Sequence, residues 1–273
     1  MATVADIGLQ APPPRTSGGV IEFIDRWIWV FTAALIIATV LAGFVPDSIM
    51  KVGLVEAGKR PPFPPVLHVH AALMASWLLL LLTQTTLMAT GRRVLHMQVG
   101  VAATVLAPAI VVTGLVLVPT MYHAAWAAGH AADPGLAPNA VPAKMAFQTN
   151  IALNQIRAGL LFPICVAIGL LARRTDAGLH KRMMILATVL PLGAAISRIT
   201  WLPTTSPQSG LTIDLFPLLV VAPMFAWDLY HLRRVHRAYL IWLALLLPCI
   251  ALDYLLWNSP WWFATVPRLM GVA

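Results

Sequence analysis

The sequence predicts an all-α, polytopic bundle of about seven membrane-spanning helices, with the N-terminus cytoplasmic and the C-terminus outside. Three observations predict it. Only 10% of the 273 residues are charged and 59% are hydrophobic, whereas a soluble domain carries about 25% charged residues. So few charges cannot cover a water-facing surface. The apolar residues gather in runs of about 20, the length a helix needs to cross a bilayer. The cations collect in short connections between those runs, which is how membrane helices are oriented. The net charge of +8 is therefore an orientation signal rather than a nucleic-acid surface.

The elements follow in order. Residues 1–24 form an N-terminal arm rich in Pro, Gly and Ser, expected to be flexible. The apolar run after it reads as a retained signal anchor, not a cleaved leader. Residues 25–258 are expected to make one transmembrane domain. Its spans are placed at Asp25–Val45, Val66–Ala89, Met97–Pro119, Thr149–Leu171, Lys181–Trp201, Ile213–Leu232 and Arg237–Trp257. Pro217 and Pro223 interrupt the sixth, which membrane helices tolerate when neighbours satisfy the freed carbonyls. Residues 259–273 are expected to lie at the interface, because Trp261, Trp262 and Phe263 suit an aromatic belt.

Orientation comes from sorting the cations. Arg15, Arg26, Arg92, Arg93, Arg173, Arg174, Lys181, Arg182, Arg233, Arg234 and Arg237 fall on one side, and Lys51, Lys59, Arg60, Lys144 and Arg268 on the other. The richer side is assigned to the cytoplasm. The longest connection, Met121–Gln148, holds His123, Trp126, His130 and Asp133 and is expected to carry a short helix on the outer surface. A weak repeat runs through the basic side: paired arginines, a turn, then His96, His180 or His236 opening the next span. Cys165 and Cys249 lie in apolar runs without metal or redox spacing and read as small buried residues.

Ionisable groups at membrane depth are costly and mark candidate sites. In the second span His70, Trp77 and Gln84 recur every seven residues, close to two helical turns, so they share a face. In the fourth, Asn150, Asn154 and Arg157 do the same, and Arg157 keeps its charge at any accessible pH. Arg198 near the end of the fifth span and Asp253 near the end of the seventh complete the set, with Asp253 the natural counter-ion of Arg157 or Arg198. His68, His70, Asn154, Arg157, Arg198 and Asp253 map to the outer half of the membrane. Together they predict an outward-facing polar cavity among spans two, four, five and seven, with His70, Trp77, Asn154, Arg157, Arg198 and Asp253 as its ligand-binding residues. On the cytoplasmic side His96, His180, His231 and His236 adjoin arginines.

His70, Trp77, Gln84, His96 and Gly100, with the later stretch around His180-Lys181-Arg182 and Met184, resemble a His…Trp…Gln…His-x-x-x-Gly pattern. That pattern belongs to bacterial multi-pass membrane families of unknown function, distantly like small cytochrome-oxidase-assembly membrane proteins. The resemblance covers about His68–Leu202. It implies a multi-pass protein of the bacterial inner membrane and is nearly silent on chemistry.

Three functional readings stay open. The first is an outer cavity binding a small anionic or lipidic ligand, for which the deep arginines argue. The second is b-type haem or a metal ion held by histidines, with His68, His70 and His123 on the outer side, and His96 with His180 on the inner. The third is an accessory or assembly subunit of a membrane complex. P-loop, GxSxG, HExxH and dinucleotide-binding signatures do not occur, and the expected surroundings are lipid.

Overall fold

The computed structural model describes residues 19–132, 135, 137, 141–142 and 145–272. Arg15 and most of the N-terminal arm, Asp133 and Lys144 lie outside the described residues. Among the described residues eight helices make up the fold: α1 Gly19–Glu56, α2 Pro65–Ala89, α3 Arg93–Ala132, α4 Ala146–Ala172, α5 Ala177–Ile196, α6 Leu211–Leu232, α7 Arg237–Leu256 and α8 Pro260–Leu269. The first seven are long and apolar enough to cross a membrane. Leu79, Val105, Leu115, Leu171, Leu240 and Leu255 stand exposed on their outer faces, where only hydrocarbon is a favourable solvent. The chain is a multi-pass membrane protein.

Helix α5 forms the axis, packed against α1, α2, α4, α6 and α7. Two thirds of its span (67%) is buried, against 17–39% for the other six. It also has the lowest mean hydropathy of the seven, 1.3. Because α5 hardly meets lipid, it can carry Lys181, Arg182 and Thr188. Helix α1 comes so close to it that a Cβ on Gly43 would collide with the Ala195 backbone, the close approach that small residues allow in membranes. Trp77 of α2 donates its indole N–H to Thr188 Oγ1 (3.0 Å) and meets Phe162 of α4 edge-on.

The spans match the expected ones in number and order and differ at their ends. Helix α1 starts before Asp25 and continues past Val45 to Glu56 through Pro46. Helix α3 runs on through Pro119 to Ala132, so His123, Trp126 and His130 sit on its last turns instead of on a separate surface helix. Helix α5 stops at Ile196, leaving Arg198 just beyond it. The C-terminal segment folds as α8, with Ser259 capping it and Trp262 donating to Thr149 O (2.8 Å). The three arginine-rich connections lie at one end of the bundle, called the basic end below. The Gly58–Pro64 and Ser197–Gly210 connections lie at the far end.

Candidate functional site

At the far end α4 enters with Asn150, Asn154 and Arg157 on one face. Arg157 is buried, its side chain 8% exposed, and two carboxylates meet it. Its Nη2 donates to Asp214 Oδ1 from the first turn of α6. Its Nη1 lies 2.7 Å from Asp253 Oδ2 on α7. That second contact is an ion pair by distance only. Neither atom has a hydrogen-bond partner of acceptable angle among the described residues. Asn154 Oδ1, one turn before Arg157, is buried and equally unpartnered.

The cluster is closed above by a polar strap. Asn150 Nδ2 donates to Asn258 Oδ1 (2.6 Å), and Asn258 N–H returns a bond to Asn150 Oδ1 (3.0 Å). Asn258 takes a left-handed backbone, φ 57°, which asparagine tolerates better than most residues. Trp257 donates to Pro207 O (2.9 Å), and its ring lies on Gly210, where a Cβ would sit 3.1 Å away. Asn154, Gly210, Asp214, Asp253, Tyr254 and Trp257 line a narrow crevice of about 160 Å³.

A second charged cluster lies at the basic end. Arg182 of α5 binds Asp228 of α6 in bidentate fashion, Nε to Oδ2 at 2.6 Å and Nη2 to Oδ1 at 2.5 Å. Its Nη1 donates to Gly178 O (2.9 Å), and Tyr239 of α7 donates its hydroxyl to Asp228 Oδ2 (2.6 Å). Trp29 of α1 lies beneath Arg182 and Lys181, with ring-centroid distances of 5.2 and 4.1 Å, a favourable cation–π geometry. Nearby, Asp176 caps α5 by accepting from Leu179 N–H (2.9 Å) and pairs with Arg237. The Leu179 N–H first, and then Arg237, hold the Asp176 carboxyl below the usual range. His236 Nδ1 accepts from Ala238 N–H (3.1 Å) to cap α7. Burial, and then the Arg182 charge, press the His236 imidazole below its ordinary value.

The other candidate residues are dispersed. His70 Nδ1 and the Thr113 hydroxyl share a 2.9 Å hydrogen bond; this ties α2 to α3. His68 is exposed and meets Phe63 edge-on. His123, also exposed, bonds Met270 O (2.6 Å) after α8. It lies ten residues along α3 from Thr113, about 15 Å of helix rise, so His70 and His123 do not form a pair. Arg198 binds Asp47 of α1 (3.2 Å), which also binds Lys51, and lies over Phe44. Trp77 is a packed joint between α2 and α5. The expected outer residues bond to different helices, and of them only Asn154, Arg157 and Asp253 come together.

His96 and His180 do meet, ring centroids 6.4 Å apart and nearly perpendicular. His180 Nδ1–H donates to Gly169 O (2.8 Å). The Gln84 amide, with its nitrogen turned toward His96, donates to His96 Nδ1 and to its carbonyl, while its oxygen accepts from Gly100 N–H (2.9 Å). Gln84, His96 and Gly100 thus form a joint between α2 and α3. Among the described residues no group of three or more His, Cys, Asp or Glu could hold a metal ion.

Asp214, Asp228, Arg182 and Tyr239 were missing from the sequence-based set. Asp214 falls one residue inside the expected start of the sixth span and reads as a helix-end residue. Asp228 and Arg182 flank the basic connections, where charge is commonplace. The signal available was that α6 carries only two carboxylates in its apolar run, each facing an arginine at its own depth. Comparison with protein-family models, with curated proteins and with solved structures finds no match.

Proposed function

We propose that this chain is a protein of the bacterial inner membrane, basic end in the cytoplasm, whose working site is the outer Arg157–Asp214–Asp253 cluster. The cluster takes up a positively charged occupant, a proton or a small hard cation, from the outer side, and couples it to the packing of α4, α6 and α7. One observation carries this reading: two buried carboxylates share a single guanidinium. An uncompensated charge at this depth costs several kcal/mol, and a positive occupant removes that cost. Asp253 Oδ2 and Asn154 Oδ1, on residues lining the same crevice, are buried acceptors without directed donors that such an occupant would satisfy.

The same geometry weighs against an anionic ligand, because both arms of the Arg157 fork already face carboxylates. The tightness of the crevice favours a proton over a metal ion in this conformation. The test compares the pH and Na⁺ dependence of unfolding in detergent for the unmodified protein and Asp253→Asn. The expected result is a dependence that Asp253→Asn abolishes; superimposable profiles sink the proposal.

A second reading rests on the His96–His180 pair, whose proximity suits a haem or metal held at the basic end. Ligation through His96 Nε2 would require the Gln84 amide to rotate, since Gln84 now leaves the ring proton on that nitrogen. A Soret band lost in His180→Ala supports this reading; no Soret band in purified protein removes its haem form.

A further inference from the structure

A groove of about 410 Å³ runs between α1 and α6 at the basic end, lined by Ile24, Ile28, Pro223, Ala226, Trp227 and Tyr230. Its wall on α1 is an i, i+4 pair. Its wall on α6 follows i, i+3, i+4 and i+7, one helix face. Pro223 and Ala226 make that face concave because neither fills it.

The groove changes character along its length. Its deep part is aliphatic. Toward the basic end come Trp227 and Tyr230, amphipathic rings of the kind that sit at head-group level. Trp227 directs its indole N–H at Asp25 (3.4 Å), so this carboxylate is engaged at the rim. Arg233 ends α6 in a left-handed conformation, φ 56°, which turns its guanidinium back over Tyr230, 4.8 Å from the ring centroid. Arg234, next in the chain, is exposed as well, while Arg26 and Glu22 fall on the α1 face turned away from Ile24 and Ile28.

We propose that this groove is a binding site for one anionic phospholipid. An acyl chain occupies the aliphatic part, and the phosphate head group is held by Arg233 above Tyr230. Charge complementarity selects this occupant over a neutral lipid, since the Arg233 guanidinium stands over Tyr230 at the rim and the Asp25 carboxylate there is already engaged by Trp227. An apolar channel leading inward from the arginines selects a lipid over a free phosphate. The site lies at the opposite end of the bundle from the Arg157 cluster and does not depend on the reading of that cluster.

The full-length protein in neutral detergent is titrated with a phosphatidylglycerol, with a phosphatidylcholine of the same chains, and with inorganic phosphate, reading the unfolding midpoint. Phosphatidylglycerol is expected to raise the midpoint by roughly 3 °C, phosphatidylcholine by much less, and phosphate not at all. Ala226→Trp, which fills the groove, is expected to lose the rise, and Arg233→Gln to respond equally to both lipids. Equal responses of the unmodified protein to the two lipids, a rise reproduced by phosphate, or a rise that survives in Ala226→Trp overturns the proposal. Native mass spectrometry from mixed-lipid micelles needs no variant. Preferential retention of phosphatidylglycerol supports the site, and equal retention overturns it.

Discussion

The two buried arginine clusters use the same chemistry with opposite bookkeeping. At the basic end Arg182 meets one carboxylate, both Asp228 oxygens accept directed bonds, and Tyr239 completes the set. At the far end Arg157 meets two carboxylates, makes one directed bond to them, and leaves Asp253 Oδ2 and Asn154 Oδ1 without donors. Burial is nearly equal, with charged side chains 5% exposed in the first cluster and 8–9% in the second. Depth therefore does not distinguish them; charge balance and hydrogen-bond satisfaction do. A balanced, satisfied network specifies which helices pack together. An unbalanced one retains free energy that a ligand can release.

Substitutions can break or sharpen this contrast. The largest effect is expected from Asp228→Asn, which strands Arg182 and should cost about 3–5 kcal/mol, read as a lost or sharply lowered unfolding transition in detergent. A cost below about 1 kcal/mol would mean that the basic-end cluster is not the balanced network described. Tyr239→Phe removes a hydroxyl donor from the same carboxylate and should cost about 1.5–3 kcal/mol, with Asp228 still paired.

Asp176→Ala should cost about 1 kcal/mol at neutral pH through the lost helix cap. Because Leu179 N–H and Arg237 lower the folded-state value of Asp176, its contribution is complete above the unfolded-state value. It disappears as the pH falls through the folded one. The stability curves of variant and parent should accordingly converge in acid; parallel curves would contradict the cap. Asp253→Asn should have the smallest cost, none or a net stabilisation of up to about 4 kcal/mol, because it converts the far-end cluster to a one-to-one pair. A loss as large as that of Asp228→Asn would erase the distinction between the two ends.

Much of this architecture was legible in the sequence. Run length and cation placement located all seven spans, because both are one-dimensional quantities fixed by the bilayer. Helix ends were less legible. Pro119 and the alanine-rich stretch after it read as a stop, yet α3 passes through both, since a proline costs less where the freed carbonyl finds another partner. For the site, Arg157, Asn154 and Asp253 stood out, as did the pairing of Asp253 with an arginine. His68, His70 and Arg198 were assigned to the same half of the membrane but do not share the site's neighbourhood. Sequence periodicity gives depth and helix face, whereas neighbourhood depends on the order of helices around α5, which no local pattern encodes. Asp214 escaped notice for the complementary reason: its partner is 57 residues away, and nothing near it in the chain announces an arginine.

Helices α1 and α3 both start at the basic end and contain 38 and 40 residues, about 57 and 60 Å at 1.5 Å per residue. Even at a 40° tilt each would outreach a hydrocarbon layer of about 30 Å. Both must therefore project beyond the hydrocarbon at one end or the other. If the basic end is cytoplasmic, as proposed, the connection at Gly58 lies on the outer side, and a peptide tag inserted there should be labelled on spheroplasts without permeabilising the membrane.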